Sequence, residues 1–143
     1  MTIKRILESK GSNVITLHPD VTLADVAKVL SEKRIGAIVL VEENGTVAGI
    51  VSERDIVRVV GANGPESLRR VVRDVMTLKV TTCTERTTVD EALQTMTSGR
   101  FRHLPVLSDG RLAGLVSIGD VVKRKIEDAE AEAEEMRGYI AAG

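Results

Sequence analysis

An internal repeat is the feature that most constrains the fold of this 143-residue chain. The segment Val14-Ile-Thr16 aligns with Val80-Thr-Thr82 at a spacing of 66 residues. Further on, Gly49-Ile-Val-Ser52 aligns with Gly114-Leu-Val-Ser117 at a spacing of 65. Two copies of one supersecondary unit therefore occupy most of residues 14–125.

The first helix of each copy is marked by a capping-box sequence. Thr22-x-x-Asp25 and Thr88-x-x-Glu91 each place a hydroxyl and a carboxylate where they satisfy the free amides of a helix start. Apolar residues then recur at helical spacing, which predicts one stripe packed on a sheet. A first strand at 14–16 or 80–82 precedes each helix in this interpretation.

A hairpin and a second helix complete each copy. Apolar strands are predicted at 37–41 and 103–107, and again at 47–51 and 112–116. Asn44-Gly45 and Asp109-Gly110 lie between them, and these residue types tolerate the positive φ of tight turns. The second helices open at Ser52 and Ser117, which gives the order β-α-β-β-α in both copies.

The repeat predicts an α/β (α+β) fold. One unit alone would leave a sheet face uncovered, so we expect the two repeats to pack sheet to sheet about a pseudo-twofold axis. The expected segments are a first repeat with an N-terminal helix (1–62), a linker (63–79), a second repeat (80–126) and an acidic C-terminal helical extension (127–143). The extension continues a long helix and is interpreted as a solvated helix or a coiled tail aiding dimer contact, with an acidic recognition element as the alternative.

Composition argues against several classes of protein. With 20 Lys+Arg, 21 Asp+Glu and 1% aromatic residues, the chain has neither an overall basic field nor the aromatic side chains on which bases stack, so nucleic acid is not a favoured partner. Its single cysteine and two histidines offer little material for a metal cluster, and we expect no metal requirement. The absence of a signal-peptide core or a long apolar run predicts a soluble, cytoplasmic protein without a membrane partner.

No catalytic set assembles in the sequence. Cys83 has no His nearby in sequence, and neither a nucleophile elbow nor a Gly-rich phosphate loop follows a strand. We therefore expect a protein that is not an enzyme.

The ending Gly-hydrophobic-hydrophobic-Ser-x-x-Asp, used twice, is the most informative motif. Ser52 with Asp55, and Ser117 with Asp120, can simply cap helices. The preceding glycine also allows close approach of backbone or ligand, a helix start suits an anion, and a carboxylate there can accept both hydroxyls of a ribose.

Together with the linker Val72-Arg-Asp-Val-Met-Thr77 and the strand Arg102-His-Leu-Pro-Val106, this pattern resembles a tandem pair of cystathionine beta-synthase (CBS) domains, a Bateman module, of the stand-alone bacterial type. The resemblance covers roughly residues 3–125. It implies two clefts for adenosine-containing ligands, with AMP or NAD(H) favoured and ATP or ADP as further candidates. It also implies a homodimer of modules, head-to-head or head-to-tail, that regulates a separate protein.

The resemblance also implies roles for particular residues. Ser and Asp of each pair match the groups that hold the ribose and the first phosphate, the Thr and Val positions match the strand that contacts adenine, and Arg102 with His103 matches a cationic pair that meets phosphate. Because the two repeats are expected to face each other about a pseudo-twofold axis, Arg54 is expected to converge with Arg102 on one phosphate, while the small Gly36 and Ala37 leave room for a base or a longer ligand. The implied nucleotide-binding residues are Val14, Thr16, Gly36, Ala37, Ser52, Arg54, Asp55, Val80, Thr82, Arg102, His103, Ser117 and Asp120.

Two other functions remain open at this point. The first is a ligand-independent dimerisation or protein-interaction module with vestigial clefts, in which Ser-x-x-Asp only caps helices. The second, less favoured, is an RNA-binding adaptor that uses Arg100, Arg102 and Arg124.

Overall fold

A computed structural model describes residues 1–142, so that Gly143 at the end of the predicted 127–143 extension lies outside the described residues. The helices are α1 (Ile3–Lys10), α2 (Leu23–Lys33), α3 (Glu53–Asn63), α4 (Val89–Gly99) and α5 (Ile118–Ala142), and the strands are β1 (Thr16–Leu17), β2 (Ala37–Val41), β3 (Val47–Ser52), β4 (Cys83–Thr84), β5 (His103–Ser108) and β6 (Arg111–Ser117). Two 3₁₀ helices, Pro65–Arg69 and Val72–Asp74, lie within the linker between the repeats.

Two three-stranded sheets, in the orders β1-β2-β3 and β4-β5-β6, confirm the mixed α/β fold class with a long C-terminal helix. In each sheet the short first strand pairs in parallel with the middle strand. The third strand of the first sheet is antiparallel to β2. Within residues 1–142, no helix is both long enough and apolar enough to cross a membrane.

The helix starts follow the capping sequences. Thr22 Oγ1 accepts the Asp25 N–H at 3.2 Å while Asp25 Oδ2 accepts the Thr22 N–H at 3.1 Å, so both halves of the predicted box form. At α4, Thr88 Oγ1 accepts the Glu91 N–H at 3.0 Å. The predicted apolar stripes of α2 and α4 are buried except at Ala27 and Leu93, which are partly buried. The buried members are Leu23, Val26, Leu30, Val89, Ala92 and Met96.

The two hairpins differ in length, which explains the shift in repeat spacing from 66 to 65 residues. Asp109 and Gly110 both have positive φ, 52° and 78°, and form a two-residue turn between β5 and β6. Residues 42–46 make a longer turn, in which Gly45 has φ 88° and the Thr46 N–H donates to Asn44 Oδ1 at 3.0 Å.

The first strands are shorter and later than the sequence predicts. They begin at Thr16 and Cys83, whereas Val14, Val80 and Thr82 precede them. Each of these first strands pairs only with the middle strand of its sheet. In β1 the pairing begins with Thr16 opposite Val39, so the strand begins there.

The chain forms two compact units that do not coincide with the repeats along the sequence. The first-repeat unit comprises Asn13–Thr81 with Gly110–Leu112, and the second-repeat unit comprises Met1–Ser12, Thr82–Asp109 and the chain from Ala113 onward. Helix α1, expected with the first repeat in 1–62, therefore packs in the second-repeat unit.

Backbone pairing fixes the N-terminal segment in the second-repeat unit. The Ile3 N–H donates to the Thr87 carbonyl at 2.8 Å, and the Val89 N–H donates to the Met1 carbonyl at 2.9 Å. The side chain of Ile3 is fully buried in the same hydrophobic cluster as Val89. This contact between segments more than 80 residues apart has no local sequence signal.

The linker occupies the equivalent place in the first-repeat unit. The Val72 N–H donates to the Val21 carbonyl at 2.8 Å, and the Leu23 N–H donates to the Arg70 carbonyl at 2.9 Å. Val72 is fully buried, as Ile3 is. Each unit is thus completed by the segment that precedes the other repeat in the sequence.

Glycines at matching positions of β3 and β6 let these two segments pack closely. A Cβ on Gly49 would lie 2.7 Å from the Met76 sulfur and 2.7 Å from the Thr77 carbonyl oxygen, while one on Gly114 would lie 2.6 Å from a Leu7 methyl. The sequence allowed either backbone or ligand to approach here. In the structure the space is filled by protein.

We expect Gly49→Ala to lower the free energy of unfolding by about 1–3 kcal/mol, because the backbone oxygen of Thr77 cannot yield as a flexible side chain can. Gly61→Ala in α3 is the matched control, since a Cβ added there would have no atom within 4 Å and alanine favours helix by about 0.5–1 kcal/mol. Urea unfolding of both variants measures the difference. Equal effects of the two substitutions would contradict the close packing at Gly49.

Candidate functional site

The strand directions bring several predicted residues to one edge of the first sheet. Because β1 and β2 run in parallel and β3 returns, Thr16 and Ala37 lie at the edge where β3 ends. Ala37 is paired directly with Ser52. The Gly36 carbonyl accepts the Glu53 N–H, the first amide of α3, at 2.9 Å, which fixes the helix start against this edge.

Ser52 and Asp55 form a complete capping box at this edge. Asp55 Oδ2 accepts the Ser52 N–H at 2.8 Å and the Ser52 hydroxyl at 3.1 Å, and Ser52 Oγ accepts the Asp55 N–H at 3.3 Å. Asp55 Oδ1 pairs with the guanidinium of Arg58, a side chain that is 71% exposed. The carboxylate is therefore held by its helix on one oxygen and by a solvent-exposed cation on the other.

The second sheet repeats this arrangement. The Arg102 carbonyl accepts the Ile118 N–H, the first amide of α5, at 2.7 Å. Asp120 Oδ2 accepts the Ser117 N–H at 2.8 Å, and Ser117 Oγ accepts the Asp120 N–H at 3.1 Å. His103 begins β5 next to Arg102, so four of the predicted residues meet at this edge.

Lys10, from helix α1, supplies the cation of the second edge. Its ammonium donates to Asp120 Oδ2 at 2.7 Å and to the Leu115 carbonyl at 3.0 Å. Burial alone would raise the pKa of Asp120, but the hydrogen bonds from Lys10 and Ser117 outweigh it and hold the pKa below its ordinary value of 3.8. No local pattern in the sequence connects Lys10 with Asp120, because the two residues lie 110 positions apart.

The remaining predicted residues do not all gather at these two sheet edges. Arg54 and Arg102 are exposed, whereas Ala37 is only 2% exposed and its methyl group packs in the core rather than lining an open space. Val80 belongs to the first-repeat unit and Thr82 to the second-repeat unit, so the expected pair does not stay together. Arg58 was also missed, although its i,i+3 spacing from Asp55 is readable in the sequence.

A second polar cluster surrounds Arg73 of the linker. Its Nε donates to Asp20 at 2.8 Å and its Nη1 donates to Glu42 at 2.7 Å. These hydrogen bonds lower the pKa of both carboxyls. His18 Nδ1 lies 3.5 Å from Asp20. The cluster ties the linker to two loops of the first repeat.

Cys83 and the acidic side chains were considered as a reactive thiol and as metal ligands. Burial raises the pKa of Cys83 to about 11, so that its thiol stays protonated at neutral pH. Within residues 1–142 no group of three or more His, Cys, Asp or Glu side chains is arranged to hold a metal ion.

Comparison with known proteins shows that both repeats of the chain match one protein family. A family model described as "CBS domain" matches residues 4–62 and 72–127. A curated relative, the CBS domain-containing protein CBSX3, mitochondrial, of Arabidopsis thaliana, is 36% identical over 99% of this chain and 73% of its own length.

Solved structures match as well. The CBS-domain containing protein ATU1752 from Agrobacterium tumefaciens is 44% identical, with a TM-score of 0.85 over 87% of this chain and 99% of that one. The CBS domain pair of protein MJ0100, solved with 5-methylthioadenosine and S-adenosyl-L-methionine, is 26% identical, with a TM-score of 0.80 over 90% of this chain and 98% of that one.

We expect Lys10→Met to lower the free energy of unfolding by roughly 0.2–1 kcal/mol at neutral pH, because it removes a half-exposed ion pair. The pKa of Asp120 is depressed in the folded chain, so the pair stabilises the fold above pH 3.8 and its contribution is lost as the pH falls through the folded pKa. Denaturant unfolding at a series of pH values measures this. Lys4→Met, on the exposed side of the same helix, is the control, and a Lys10→Met deficit that persists unchanged in acid would contradict the ionic origin.

Proposed function

The chain belongs to the CBS-domain family, and on that premise we propose that it is a non-catalytic regulatory module that binds an adenine nucleotide at the two sheet edges. The observation that carries this proposal is the repeated meeting of Ser, Asp and a helix start at each edge. The Asp carboxylate reaches back to the strand end in both repeats. A ribose placed there would meet an oriented carboxylate and a hydroxyl.

The cation beside each carboxylate goes beyond what helix capping requires. The Thr22–Asp25 box caps α2 with the same geometry and has no cation paired with its carboxylate in the described structure. Asp55 has Arg58 and Asp120 has Lys10. Each of these cations is at least 40% exposed, so it can exchange its carboxylate for a ligand at low cost.

The charges favour a phosphate-bearing ligand. Arg102 is exposed beside the Ser117–Asp120 pair, and the exposed Arg54 follows Ser52. A guanidinium offers two parallel donors to phosphate oxygens, which a neutral nucleoside cannot use. We therefore favour AMP or NAD(H), with ATP and ADP as further candidates, although MJ0100 binds 5-methylthioadenosine and a sulfonium compound.

In this proposal the module acts as a homodimer that regulates a separate protein in the cytoplasm. A ligand changes such a partner only through its different affinity for two conformations of the module. The alternative is a ligand-independent dimerisation or protein-interaction module, in which both Ser-Asp pairs serve as helix caps alone.

A thermal-shift scan of the nucleotide-free protein against AMP, ADP, ATP, NAD, NADH, S-adenosylmethionine and adenosine tests the proposal. A ligand at about 100 times its dissociation constant stabilises by roughly 2.7 kcal/mol, which corresponds to a rise of roughly 5–10 °C in Tm. We expect Asp55→Asn and Asp120→Asn each to reduce the rise at their own edge.

Asp25→Asn is the matched control for this scan. It also breaks a capping box, so it should lower the Tm of the free protein while leaving the ligand-induced rise intact. If no compound raises the Tm of the folded, nucleotide-free protein, the interaction module becomes the better function. If Asp25→Asn abolishes the ligand-induced rise in Tm as fully as Asp120→Asn does, these substitutions act by destabilising the fold, and a contact between the carboxylates and the ligand is contradicted.

We expect Arg102→Ala to weaken AMP about tenfold or more while leaving adenosine within about twofold, because a hydrogen bond to a charged group contributes about 1.5–3 kcal/mol. Isothermal titration calorimetry with both ligands measures the ratio. Arg86→Ala removes another exposed arginine of the second-repeat unit and should leave both affinities unchanged. Equal losses of AMP and adenosine on Arg102→Ala would contradict a contact with phosphate.

A further inference from the structure

The two candidate edges differ in the group that bonds to the last strand of each sheet. In the first-repeat unit the Ile50 carbonyl accepts the backbone N–H of Thr77 at 2.9 Å, and the Ile50 N–H donates to the Thr77 carbonyl at 3.1 Å. Leu115 is the equivalent residue of the second repeat, at the spacing of 65. Its carbonyl accepts a hydrogen bond from the ammonium of Lys10 at 3.0 Å. A side-chain cation therefore takes the place that a backbone amide has in the other unit.

The position of Lys10 is fixed by the packing of α1. Ile3, Ile6 and Leu7 are buried in the core of the second-repeat unit. Helix α1 ends at Lys10, and the Gly11 N–H that follows donates to the Leu7 carbonyl at 2.8 Å. The lysine side chain thus extends from an anchored helix end to the sheet edge.

The ammonium of Lys10 retains one donor for a ligand. It has three N–H bonds, and its two acceptors among the described residues are the Leu115 carbonyl and Asp120 Oδ2. The lysine side chain is 40% exposed, so a bound molecule can reach the third N–H. The nitrogen that carries this donor lies 2.7 Å from Oδ2 of the carboxylate to which the proposed function assigns the ribose.

Asp120 retains one acceptor next to that donor. Its Oδ2 accepts the hydrogen bonds from Ser117 and Lys10, whereas its Oδ1 accepts none from the described residues. Burial would raise the pKa of this carboxyl, but the hydrogen bonds keep the pKa below its ordinary value, so that Oδ1 acts only as an acceptor at neutral pH. At the first edge, by contrast, Oδ1 of Asp55 is already paired with Arg58.

An open acceptor beside an open donor selects a particular kind of ligand group. A phosphate placed between them would be repelled by the carboxylate, and a second cation would be repelled by the ammonium. A hydroxyl both donates and accepts, so two adjacent hydroxyls can donate to the carboxylate and accept from the ammonium without either repulsion. The 2′- and 3′-hydroxyls of a ribose form such a pair, whereas a deoxyribose has only one of them.

We propose that Lys10 is a specificity-determining residue of the second edge, where it donates a hydrogen bond to one ribose hydroxyl while Asp120 Oδ1 accepts one from the other. This role rests on the proposed function, which places the ribose of a nucleotide at Asp120. It adds that the second edge selects ribonucleotides over deoxyribonucleotides, and that helix α1 supplies part of the selection. The two cations then differ in their tasks, since Lys10 binds the ribose and Arg102 binds the phosphate.

Titration calorimetry with AMP, 2′-deoxy-AMP and 3′-deoxy-AMP tests this role. All proteins carry Asp55→Asn, so that binding reports the second edge. We expect the protein with Lys10 to bind each deoxy ligand about tenfold or more weakly than AMP, because each lacks one hydrogen bond to a charged group. In Lys10→Met one of these two preferences should fall to within about twofold, while the other, which comes from Asp120, remains.

Lys4→Met is the matched control, because it removes the same charge from the exposed side of the same helix. It should leave both preferences unchanged, since AMP and its deoxy forms carry equal charge. Two unchanged preferences in a folded Lys10→Met protein would overturn the role of Lys10 and leave nucleotide binding in place. If the folded wild-type protein binds none of the three ligands, the proposed function itself is overturned, and the role of Lys10 with it.

Adenosine distinguishes the ribose from the phosphate as the partner of Lys10. A lost bond to the ribose should weaken adenosine and AMP by similar factors in Lys10→Met, whereas Arg102→Ala should weaken AMP alone. If Lys10→Met weakens AMP and leaves adenosine unchanged, Lys10 faces the phosphate and its role at the ribose is overturned. A loss of AMP affinity beyond about a hundredfold exceeds one such hydrogen bond and would overturn that role as well.

Discussion

Backbone pairing at the start of α2 and of α4 is the constraint on which the rest of the structure depends. In the first-repeat unit the linker makes this pairing, and in the second-repeat unit the N-terminal segment makes it. Each segment donates one backbone hydrogen bond, accepts one, and buries one branched side chain, Val72 or Ile3. Neither repeat therefore completes its core with its own residues. The exchange also places the C-terminal end of α1 beside Asp120, where Lys10 becomes part of the candidate site.

Local signals predicted most of the elements but not the exchange. Helical spacing, capping sequences and turn residues placed α2, α3, α4 and both hairpins, because each of these is fixed by neighbours within a few residues. The position of α1 and the role of Gly114 depend on a contact with Leu7 that spans most of the chain.

The candidate site was predictable to the extent that it coincides with helix capping. Ser52, Asp55, Ser117 and Asp120 are found where the sequence places them, since a capping box is a local structure. Their positions alone do not indicate a ligand, because Thr22 and Asp25 adopt the same capping geometry at a helix for which no ligand is proposed. What distinguishes the two edges is the exposed cation that each carboxylate holds.

Helix α5 connects the candidate site to the N-terminal helix of the same unit. It begins at Ile118, directly after Ser117 of the capping box, and its first turn carries Asp120. Lys10 of α1 donates to the Asp120 carboxylate at 2.7 Å. A ligand that separates Lys10 from this carboxylate must offset the energy of that bond, so the bond enters the balance between the free and the bound protein.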